Sequence, residues 1–220
     1  MHLDKLSIIG HDNLPLPHRF VRQESGSDHL AIIFPGFSYG SDSPALYYPA
    51  RLLGDLGAEV LMLDRLYSNL EGFRSLSEAE RARTIVTDGL ALCNAGLNER
   101  PYRQITLVGK SIGTLTMARL LKIEPRLSDA TCIWLTPLVK GEKLREIIVE
   151  KEPRSLFIFG SADEHYEPSL VEEVVNATEG KSFVIEGANH SLEIAGKLVE
   201  SIRQIGLVVE EIEQFVLSRR

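Results

Sequence analysis

Cysteine, tryptophan and unbroken apolar stretches are all scarce in this sequence, and the shortages remove whole classes of protein. Only two cysteines occur in 220 residues, Cys93 and Cys132, far apart and without a C-x-x-C partner or a neighbouring histidine. That excludes a disulfide framework and a zinc knuckle and leaves two buried free thiols as the expectation. No segment approaches the roughly 20 continuous apolar residues of a membrane span, and the longest run, around residues 30–37, is broken by Pro35 and Gly36. The opening MHLDKLSIIGHD sets Asp4 and Lys5 before a short apolar run and shows no small-residue cleavage site, so a soluble cytoplasmic protein is expected. Positive charge is in deficit, 24 Lys and Arg against 31 Asp and Glu for a net −7, and the basic residues are scattered. Neither nucleic acid nor a membrane is therefore an expected partner.

What remains is an ordinary globular composition, 44% apolar and 25% charged, which buries a core without staples. At about 150 residues per domain, a chain with no repeat, linker or low-complexity tract reads as a single domain over residues 1–220. Short, β-branched apolar runs recur at residues 30–34, 59–63, 104–108, 130–135, 155–159 and 182–185, the pattern of strands buried on both faces. Between them lie helical patterns. Ser43-Pro44 opens one towards Leu56, and Ser77 with Glu80 has capping-box spacing at the head of another. Further helices are expected at residues 112–123, 141–150, 169–177 and 199–217. Such alternation gives a mostly parallel, twisted sheet with helices on both faces. Two earlier runs, residues 6–9 and 18–22, are too close for an intervening helix and are expected as an antiparallel edge. In sheets of this kind ligands sit beyond the carboxyl ends of the strands.

The turn after the run at 104–108 reads Gly109-Lys110-Ser111-Ile112-Gly113, or G-x-S-x-G between a strand and a helix. The flanking glycines fit a turn too tight for side chains, and the serine hydroxyl is thrust out where the Ile112 N–H meets a developing oxyanion. A phosphate loop is excluded, because the place of its first glycine is held by Gln104 inside the strand. A serine nucleophile needs a base and a group to orient that base. Gly160-Ser161-Ala162-Asp163-Glu164-His165 follows one later strand and Gly187-Ala188-Asn189-His190 follows the next. Ser111, Asp163 and His190 thus stand in order, with Glu164 the alternative acid and His165 a weaker base. The second oxyanion donor is expected from the turn Pro35-Gly36-Phe37-Ser38, with the Phe37 N–H first and that of Ser38 next.

On FPGF, VGKSIGT, GSADEHYEP and GANHSLE, spread over nearly the whole chain, the sequence resembles the α/β-hydrolase superfamily, in its compact, lidless, dienelactone-hydrolase-like or small-esterase branch. The resemblance implies an eight-stranded sheet without a separate lid domain, a Ser111–Asp163–His190 triad, Phe37 and Ile112 at the oxyanion hole, and no metal or cofactor. It also implies hydrolysis of a small-molecule ester, thioester or amide. Two departures stand out: the family's frequent His-Gly is Pro35-Gly36 here, and a dienelactone hydrolase would carry cysteine at Ser111. Acyl transfer or peptide cleavage by the same triad, or a catalytically idle scaffold, are the competing functions. Lys110, Ser38 and Tyr39 are candidate substrate-binding residues. For Lys110 the choice lies between an anionic substrate group and a structural ion pair. Only five residues, 136–140, separate one strand from the next helix, too few for a lid, and the loop at 65–76 looks mostly polar. An open cleft and short acyl groups are expected.

Overall fold

The computed structural model describes residues 1–218. Eight strands form one sheet: β1 (His2–Asp4), β2 (His18–Arg22), β3 (His29–Phe34), β4 (Glu59–Leu63), β5 (Gln104–Lys110), β6 (Thr131–Leu135), β7 (Arg154–Gly160) and β8 (Lys181–Ile185). They lie in the order β1-β2-β4-β3-β5-β6-β7-β8; the β1–β2 and β2–β4 pairings are antiparallel and the other five are parallel. All six residues of β3 and all five of β4 are buried, as strands covered on both faces must be.

Six α-helices supply the cover: α1 (Pro44–Asp55), α2 (Glu78–Leu97), α3 (Ile112–Ile123), α4 (Glu142–Lys151), α5 (Pro168–Ala177) and α6 (Leu198–Leu217). Side-chain alternation along the strands splits the core accordingly. Leu107, Trp134 and Phe157 pack with α2, α3, α4 and α5, while Val108, Ile133 and Ile158 face α1 and α6. The capping box of α2 is complete, with Ser77 accepting from the Glu80 N–H and the Glu80 carboxylate accepting from the Ser77 N–H. No helix among the described residues is long and apolar enough to cross a membrane.

The antiparallel edge is present, but its outer strand is His2–Asp4 and not residues 6–9. Ile8 instead turns into the core at 4% exposure, the Leu6 N–H donates to His18 Nε2, and Ile9 makes only an isolated bridge to Pro15. Pro15 and Pro17 lack the N–H groups that a longer ladder would need.

Candidate active site

The turn between β5 and α3 is built by two glycines with no room to spare. A Cβ on Gly109 would lie 2.3 Å from Met117 Sδ, and one on Gly113 would lie 2.5 Å from the Phe34 carbonyl oxygen. Between them Ser111 adopts φ 53°, ψ −117°, a left-handed conformation that non-glycine residues occupy only when their surroundings impose it. Its N–H donates to the Leu135 carbonyl at 3.0 Å, prolonging the β5–β6 ladder by one rung. Ile112 begins α3, so its N–H has no intrahelical partner to satisfy.

The two other loops are locked to each other. Gly160, at the end of β7, lets the chain after β8 pass so close that a Cβ would meet the Ala188 oxygen at 2.2 Å, and the Ala162 N–H donates to that oxygen. Asn189 Oδ1 accepts from the N–H groups of Ser191 and Glu193, which curls the chain around His190. As a result His190 Nε2 lies 2.8 Å from Ser111 Oγ, and Nδ1 lies 2.7 Å from Asp163 Oδ2. The other Asp163 oxygen accepts from the His165 N–H. Burial pushes the Asp163 carboxyl up, but the bonds from His190 and His165 and the charge of both imidazoles outweigh it and hold it below its ordinary value. Glu164, the alternative acid, is exposed, with one carboxylate oxygen 3.8 Å from His165 Nε2.

No family model and no curated protein sequence matches this chain. Solved structures do, at low identity. An esterase of Pyrococcus furiosus superposes with a TM-score of 0.70 over 97% of this chain and 92% of its own, at 16% identity. A lidless α/β serine hydrolase from Xanthomonas campestris gives 0.70 over 100% and 98%, at 18% identity. This chain has the α/β-hydrolase fold. Est1E from Butyrivibrio proteoclasticus, solved with ferulic acid bound, aligns at 0.71 over 96% and 97%, at 15% identity.

Within this α/β-hydrolase fold the candidate substrate-binding residues Lys110 and Tyr39 both have structural partners. Period-two alternation puts Lys110 on the same face of β5 as Val108, turned away from the cleft and only 1% exposed. Among the described residues its ammonium meets no carboxylate, and the side chain is closed off from solvent. It donates to Thr136 Oγ1 at 2.5 Å and to the His190 carbonyl at 2.6 Å, and lies 5.1 Å from the centre of the Tyr39 ring. The Tyr39 hydroxyl is likewise occupied, accepting from the Ala45 N–H in the first turn of α1. Of the three substrate-binding candidates, Ser38 alone is exposed.

The sequence carries no sign of Thr136, whose φ of 40° aims its hydroxyl at Lys110. It also understated the loop at 65–76. That loop makes two 3-10 turns (Tyr67–Asn69 and Phe73–Ser75), and buried Tyr67 and Phe73 join Ile85, Phe37 and Ile112 in a small apolar cluster. The Ser68 N–H donates to the Phe37 carbonyl, fixing the turn beside Ser111 from outside. Donor atoms of Asp163, His165 and His190 come within 4.8 Å of one another. Two of these groups already face each other, His190 Nδ1 and Asp163 Oδ2 at 2.7 Å.

Proposed function

We propose that this chain is a serine hydrolase cleaving a small carboxylic ester or thioester through an acyl-serine intermediate. One observation carries the reading: Ser111 Oγ, His190 and Asp163 are joined by hydrogen bonds of 2.8 and 2.7 Å, with the serine in a left-handed elbow at the head of α3. In this reading Ser111 attacks the carbonyl and its proton passes to His190 Nε2, while Asp163 holds the tautomer and balances the imidazolium. The N–H groups of Ile112 and Phe37 receive the oxyanion. His190 then returns the proton to the departing alcohol or thiol. Water attacks the acyl-serine in turn, and the His190 side chain, 34% exposed, leaves it a path, which favours hydrolysis over transfer to a bound acceptor. Esterases among the similar folds support the substrate class.

A fluorophosphonate probe tests this directly, since only an activated serine reacts. We expect labelling at Ser111, its loss in Ser111→Ala and His190→Ala, and a fall of about 10⁴-fold in kcat for Asp163→Asn, whose amide supports the wrong tautomer. A folded wild-type protein that resists the probe and hydrolyses no short-chain ester would overturn the reading.

A further inference from the structure

We infer that Lys110 is a positioning residue of this site: its ammonium, buried behind Ser111, fixes the main chain of His190 and keeps positive charge at the back of the Asp163–His190 pair. The inference rests on the proposed role of Ser111, His190 and Asp163. Lys110 is among the largest fully buried side chains of the protein, and among the described residues no carboxylate stands within ion-pair distance of it. Buried lysines are rare and ordinarily paired. This one spends its donors on two neutral oxygens, Thr136 Oγ1 beyond β6 and the His190 carbonyl beyond β8.

The second of these bonds spans 80 residues and joins the neighbour of the nucleophile to the base itself. The Asn189 side chain shapes the His190 loop from within, but the Lys110 bond ties that loop to the strand carrying Ser111. A misplacement of about 1 Å between reacting groups costs on the order of a hundredfold in rate, so a tie at this point bears on kcat. Charge adds a second effect. The groups facing the ammonium are Asp163, His190 and the Tyr39 ring, with His165 beyond His190 and Glu193 beyond Tyr39. Removing a cation bonded to the carbonyl of His190 removes repulsion on a proton reaching that imidazole, an effect the pH profile of a variant would read. Burial pulls the Lys110 amine down to about 7, against some opposition from Asp163. It is therefore charged on the acid side of neutrality, where the effect is needed.

The test is Lys110→Met, which keeps length and apolar stem but removes donors and charge. We expect the labelling rate and kcat to fall about tenfold or more with KM within about twofold. The acid limb of the kcat/KM profile should rise by about half a pH unit or more. Lys110→Gln, an uncharged donor, should recover part of kcat while keeping the displaced acid limb, and it carries the pH readout if Lys110→Met does not fold. A lysine needed only for stability would lower Tm and leave labelling rate and acid limb per folded molecule unchanged, which would overturn the inference. Failure of the wild-type protein to label would instead remove the triad reading, and this one with it.

Discussion

At the scale of single residues, burying Lys110 sets function against stability. Its amine titrates near 10.5 in an unfolded chain and at about 7 in the folded one, because burial penalises the charged form. Between those values the unfolded chain holds a proton that the folded chain has shed, so this group makes stability rise with pH across that window and weighs most against folding below it. Urea unfolding of wild type and Lys110→Met from about pH 6 to pH 9.5 checks this: the wild-type protein should gain on the variant as pH rises, and a flat difference would contradict it. Ser111, Asp163 and His190 were legible in the sequence because each follows a strand and their order is chemically meaningful. The destination of Lys110 was less so. Alternation along β5 was available as a clue, but its acceptors at Thr136 and His190 lie 26 and 80 residues away.

Among the elements, the segment between β4 and α2 owes its shape to Asp88 of α2, whose side chain has no exposed surface. It accepts from the Tyr67 hydroxyl at 3.2 Å and from the His11 N–H at 2.8 Å, with Arg65 Nε 3.6 Å away and Arg65 in turn on Asp12. Burial and the adjoining carboxylate drive the Tyr67 phenol well above its ordinary value, so it remains a donor. Asp88→Ala would strand a buried hydroxyl and leave the guanidinium short of a counter-charge. We expect a loss of about 3 kcal/mol in urea unfolding, with a smaller loss for Asp88→Asn; a change under about 0.5 kcal/mol in Asp88→Ala would show that the cluster does not hold this segment. The segment reads as polar through Asn69, Glu71 and Arg74, yet Tyr67, Leu70, Phe73 and Leu76 recur every third residue. That is the period of a 3-10 turn. The partners on Asp88 had no such signature, since His11 stands 77 residues from it.

For the molecule as a whole, alternating strands and helices made the parallel sheet legible, and the short connection from Thr136 to Gly141 made the absence of a lid domain legible too. Strand order was not, because pairing partners such as β2 and β4 are set by contacts between distant segments. Without a lid, a growing acyl chain stays wet, and each added methylene should return less than the roughly 0.8 kcal/mol of full burial. A series of p-nitrophenyl esters should therefore show kcat/KM peaking at short acyl groups. A rise continuing to twelve carbons would point instead to occupation of the groove between α2, α3 and α4, lined by Ile85, Val86, Leu115 and Leu144. The protein also carries its own gauge of assembly. Its one tryptophan, Trp134, is wholly buried in β6 against Phe157 of β7, whereas Ser111 and His190 meet only when β8 has closed the far edge. Indole emission and serine labelling thus report on two separate regions as the chain refolds, the central strands and the loops beyond β5 and β8.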